Sequence, residues 1–101
     1  MRDIEAWLNS EREDRAGPLE LYCLNADYAE ALSVAGDIGR GLAIADRAVE
    51  ISRSVSNPCL MAHGLGLRAR LRALVCDATG SEADRAGQRN LCARYGIVPE
   101  T

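Results

Sequence analysis

Lysine is absent from this chain, and so is phenylalanine. All twelve basic residues are arginine, and the aromatic set is Trp7, Tyr22, Tyr28 and Tyr95. With so few aromatic and strand-favouring residues, any core must rest on Leu, Ala, Ile and Val, and helix is the default. No apolar run reaches the roughly eighteen residues of a membrane span. A basic excess is lacking too. The net charge is −3, which disfavours nucleic-acid binding through the whole surface, because phosphate contact needs a basic patch. The all-arginine set reads first as a GC-rich coding bias of the kind some bacteria show. The start, Met1-Arg2-Asp3-Ile4-Glu5, lacks a basic region followed by an apolar stretch, so no signal peptide is visible and a cytoplasmic location is expected.

What is present fits a single globular domain spanning 1–101. An apolar content of 48% beside 27% charged residues is too hydrophobic for a disordered chain. The chain is long enough for a modest core, though domains this small gain from a neighbour. The cysteines are Cys23, Cys59, Cys76 and Cys92. Two disulfides would allow three pairings, but without a secretion signal the thiols are expected to stay reduced and to pack as small hydrophobes.

Helix punctuation divides the chain. A leading helix is predicted from about 3 to 15, capped by Asp3, with Ile4, Trp7 and Leu8 as its apolar stripe. Gly17-Pro18 stops it and opens a second helix to about Ala35, in which Leu21, Leu24, Tyr28, Ala31, Leu32 and Ala35 recur at three- and four-residue steps. Gly36-Asp37 then supplies a left-handed end and a new cap. The third predicted helix, from about Ile38 to Val55, sets small residues Gly41, Ala45 and Ala48 on one side, where a neighbouring helix can come close. Asn57-Pro58 opens a fourth, expected to run to about Ala78 before Thr79-Gly80. Within it Leu65–Arg72 alternates apolar and polar, as a strand would, but the stretch has no β-branched residue, so helix is retained. That helix carries two apolar stripes: Leu60, Leu67, Leu71, Leu74 and Ala78, and Ala62, Leu65, Ala69, Ala73 and Cys76. A helix apolar on two faces is sandwiched between others. Ser81-x-x-Asp84 is a weakened capping box for a fifth helix, from Glu82 to about Tyr95, stopped by Gly96 and Pro99.

With Gly36-Asp37 at the turn between two helices, Tyr28, Ala29 and Leu32 precede it and Gly41, Ala45 and Ala48 follow it at the spacings of a tetratricopeptide repeat (TPR), which this chain resembles over 22–95. Asn25 falls at the family's Trp position, and Leu42, Val49 and Ile51 match its apolar sites. The second turn, set at Gly80, lies 44 residues after Gly36, against about 34 in a standard repeat. The longer spacing is similar to the arrays of large bacterial transcriptional regulators of the MalT/LuxR kind. The resemblance implies an all-α fold of about five helices: a leading helix over 1–17, a hairpin over 18–56, and a second hairpin with its tail over 57–101, stacked as a short α-solenoid. It implies a non-catalytic module that binds a protein or peptide, without a cofactor, in a bacterial regulatory or scaffolding system. Groove positions by resemblance are Cys23, Ala26, Asp27, Glu30 and Ser33, and Arg68 and Arg72 join them as candidates. Asp27 and Glu30 point to a neutral or basic partner. Exposed apolar ends point to self-association or to docking onto something larger.

Three other chemistries are weighed. Cys59 and His63 share a helix face, but zinc needs three or four ligands and no second pair has ligand spacing. The same pair lacks an oxyanion site for nucleophilic catalysis. A small ligand- or redox-sensing pocket using Cys59, His63 and Cys76 is the alternative function. Arg68 and Arg72 lie together on one polar strip, Arg70 on another with His63 and Asp77. Ion pairing with Asp77, Glu82 and Asp84 is the favoured role for these arginines.

Overall fold

The computed structural model describes residues 17–97, and within them the chain forms four α-helices and no strand. They are α1 (Pro18–Val34), α2 (Ile38–Ser54), α3 (Pro58–Leu74) and α4 (Ala78–Tyr95). The leading helix expected over 3–15 lies outside the described residues.

A single spacing governs all four. Pro18, Ile38, Pro58 and Ala78 open the helices, twenty residues apart each time. The residues with positive φ, Gly36 (89°), Ser56 (52°), Cys76 (62°) and Gly96 (67°), follow the same step. So do the caps: Asp37 accepts from the Arg40 amide, Asn57 from those of Cys59 and Leu60, and Asp77 from that of Gly80. Three of the helix ends close with the same long backbone bond, from Asp37 N–H to Leu32 C=O, Asp77 N–H to Arg72 C=O and Ile97 N–H to Cys92 C=O (2.8, 2.9 and 3.0 Å). This is the bond of a Schellman end, which needs a left-handed residue just before its donor.

The spacing corrects the sequence reading of the second hairpin. Its turn is Val75-Cys76-Asp77, forty residues after Ala35-Gly36-Asp37, and α3 stops at Leu74 rather than Ala78. Thr79-Gly80 lies inside the first turn of α4. Asp77 caps that helix, so Ser81-x-x-Asp84 is no capping box. The Ser81 hydroxyl instead donates to the carbonyl of Ala69 (2.9 Å). The stretch Leu65–Arg72 is helical, as expected.

Each helix packs on the next, and α1 also touches α3. Three-residue turns force neighbours to run antiparallel, so α1 and α3 run parallel. The core comprises Tyr22, Ala26, Tyr28, Ala29 and Leu32 of α1, Ile44, Ala45 and Ala48 of α2, and Leu67 and Leu71 of α3. The small residues of α2 do what their spacing promised: a Cβ built on Gly41 would lie 3.1 Å from the Ala29 carbonyl oxygen, so α1 and α2 nearly touch backbone to backbone. The two-faced reading of α3 also holds through its middle. Gly64 faces Tyr22 and Val49, Gly66 faces Gln88 of α4, and Ala62, Leu67, Ala69 and Leu71 are buried. Leu74 is 59% exposed, however, and Cys76 sits in the turn.

Candidate functional site: a cleft between parallel helices

Because α1 and α3 run parallel and start forty residues apart, positions forty or forty-one residues apart stand opposite each other. Tyr22, on the first turns of α1, hydrogen-bonds through its hydroxyl to Nδ1 of His63 (2.7 Å), and the rings meet edge to face at 5.9 Å. Burial, with smaller pushes from Cys23 and Glu30, raises the Tyr22 pKa well above its usual value. The hydroxyl therefore keeps its proton and can donate it to the ring nitrogen. Two turns further on, Glu30 faces Arg70 at 3.7 Å.

A cleft of about 380 Å³ lies between the two helices at that pair. Glu30, Ser33 and Val34 line it from α1, Leu67, Arg70, Leu71, Ala73 and Leu74 from α3, and Arg85 from α4. Leu67 and Leu71 close its bottom as core residues, both 2% exposed, so the apolar surface open in the cleft is that of Val34 (90% exposed), Leu74 (59%) and exposed Ala73. The equivalent positions Glu30 and Arg70, Ser33 and Ala73, and Val34 and Leu74 thus form facing walls.

Of the residues expected in a groove, Glu30 and Ser33 line this cleft. Cys23 and Asp27 are exposed on α1 outside its lining. Ala26 is closed into the core at 3% exposure and presents no surface. Arg68 and Arg72 point the other way and hold α4. Arg68 forks onto Asp84 through Nε and Nη2 (3.0 and 2.8 Å) and reaches Asp46 of α2 through Nη1 (3.1 Å). Arg72 adds a bond to Asp84 Oδ2 (3.0 Å) and approaches Asp77 at 3.7 Å. The hydrogen bonds that Arg68 donates to Asp84 raise its pKa above its ordinary value, with further help from Asp46. Ion pairing is therefore the role of both arginines. Arg70 and Arg85 are the cations of the cleft, and the sequence reading did not place them there. The signal that finds Arg70 is its forty-residue offset from Glu30.

The alternative sensing pocket does not assemble. Cys59 and His63 lie at the start of α3, whereas Cys76 follows its far end, about 25 Å away at 1.5 Å per residue. Among the described residues no three His, Cys, Asp or Glu side chains gather as metal ligands. The cysteines are unpaired, as expected, but they are not core residues: Cys23, Cys59 and Cys76 are exposed and Cys92 is half-buried. Among the described residues no helix is long and apolar enough to cross a membrane.

Comparison with family models, curated proteins and solved structures finds no match for this chain.

Proposed function

We propose that this protein is a non-catalytic, TPR-like helical module that binds a peptide or protein segment along the cleft between α1 and α3, in a bacterial regulatory or scaffolding system. The observation that carries the proposal is the cleft itself: an apolar surface of Val34, Ala73 and Leu74 left open between two parallel helices in register. Stacked hairpins generate such a surface because the first helices of successive units stand side by side. The unit here is forty residues rather than about thirty-four, so the resemblance is one of architecture and small-residue spacing. An open apolar surface flanked by charged side chains suits a peptide better than an enclosed small molecule.

A displayed library of random peptides, panned against the full chain, tests this. Peptides should be enriched, and Ala73→Trp, which fills the cleft from an exposed position, should weaken the recovered peptides at least tenfold while leaving helix content and melting unchanged. Enrichment of no peptide, or equal binding by the variant, overturns the proposal.

A further inference from the structure

The charge of the cleft runs against the charge of the molecule. The chain carries a net −3, yet the cleft is lined by two arginines and one glutamate. Glu30 and Arg70 are 3.7 Å apart and each about half exposed, a separation and an exposure at which an ion pair is weak and readily exchanged. Arg85 reaches the cleft from α4, is half-buried, and makes no ion pair among the described residues. The other arginines of α3 are committed elsewhere, to Asp84, Asp46 and Asp77. Arg85 is thus open to a guest, and Arg70 can exchange its weak partner for one.

Resting on the peptide-binding reading above, we infer that the occupant of the α1–α3 cleft is an acidic peptide whose apolar side chains lie on Val34, Ala73 and Leu74 and whose carboxylates meet Arg70 and Arg85. The sign is opposite to the one that Asp27 and Glu30 suggest in the sequence. Asp27 stands outside the cleft lining, and Glu30, its one acidic residue, is outnumbered by Arg70 and Arg85. Guanidinium groups suit the guest's carboxylates because each offers a planar fork of donors. Their position at the edge of an apolar surface lets a guest desolvate its leucines without stranding its charges.

Three fluorescein-labelled fourteen-residue peptides test the charge, each with the same leucine pattern and with Glu, Gln or Lys at the remaining positions. Fluorescence anisotropy against the full chain should rank them Glu, then Gln, then Lys, with at least tenfold between the first and the last at low salt and a smaller gap at high salt. The double variant Arg70→Gln, Arg85→Gln should lose the preference for Glu over Gln. Glu30→Gln should strengthen the Glu peptide about two- to threefold, the size expected when one exposed like charge is removed. Equal or tighter binding of the Lys peptide, or a Glu preference that survives the double variant, overturns the charge assignment. In that event, loss of the bound peptide with Ala73→Trp would leave the peptide-binding reading in place. Binding of none of the three peptides also overturns the assignment, and the library selection then decides the wider reading by itself.

Discussion

The hairpin α1–α2 and the hairpin α3–α4 have the same helix spacing and the same turn length, but different material fills their seams. Between α1 and α2 the seam is apolar and tight: Ala29, Ala45 and Ala48 are fully buried, and Gly41 lets the backbones approach. Between α3 and α4 it is largely polar. The only residue of α4 that is buried is Asp84, gripped by Arg68 and Arg72. Gln88 donates to the Ala62 carbonyl (3.1 Å) and Ser81 to that of Ala69 (2.9 Å). The second seam therefore rests on directional bonds, which specify one register but add less stability than burial does. One geometry built with two kinds of glue implies that backbone spacing, set by turns and caps, defines the unit, and that each seam is free to vary within it.

Substitutions that separate the two seams test the contrast. The broadest effect is expected at Leu32, 1% exposed in the apolar core. Leu32→Ala should cost about 3 kcal/mol and lower hydrogen-exchange protection throughout the molecule, because α1, α2 and α3 share that core. Asp84→Ala should cost about 3 kcal/mol, the lower end of the range for breaking a buried ion pair, since Arg72 keeps some access to water. Its loss of protection should concentrate in α4. Equal loss in α1 and α2 would show that the polar seam is not a separate joint.

The pH dependence follows from Tyr22, which ties the first hairpin to the second. Burial holds its hydroxyl well above the usual value of 10.0. Below that pH both the folded and the unfolded chain keep the proton, and the contribution is complete. Above it the unfolded chain releases a proton that the folded chain retains, so stability falls by up to about 1.4 kcal/mol per pH unit. Tyr22→Phe should remove this share of the slope in urea unfolding followed between about pH 9 and 11. An unchanged slope would place the loss elsewhere.

How much of this could be seen in the sequence depends on which residues mark the boundaries. Pro18 opens a helix, Gly36-Asp37 and Asn57-Pro58 each combine a helix breaker with a cap, and the ends they predict for α1 and α2 lie within a residue of those observed. The turn at Val75-Cys76-Asp77 contains neither glycine nor proline, while Thr79-Gly80 offers a false stop a few residues later. Only Asp77, in step with Asp37, gives the turn away. The cleft was half readable for a related reason. Glu30 and Ser33 follow from the periodicity of one helix. Arg70 and Arg85 require knowing that α1 and α3 stand parallel and in register, and that information belongs to the packing rather than to any single helix.

The smallest expected effect sharpens the comparison most, because it concerns the turns alone. The first hairpin turns on Gly36 at φ 89° and the second on Cys76 at φ 62°. A left-handed residue with a side chain is strained by about 1 kcal/mol, and glycine is not. Cys76 is exposed, so removing its thiol loses little packing. Cys76→Gly should therefore stabilise the protein by about 0.5–1 kcal/mol after the extra freedom of glycine in the unfolded chain is set against the relief. The reverse change, Gly36→Ala, should cost a similar amount, and no neighbouring atom lies within 4 Å of the added Cβ, so that cost is the backbone's alone. Matched effects of opposite sign in urea midpoints would establish that the two turns are the same device, and that the second hairpin tolerates a strained version of it because the bonds of Asp84 and Asp77 hold α4 in place. A destabilising Cys76→Gly would mean that the thiol supports the turn, and the equivalence of the two hairpins would then stop at their spacing.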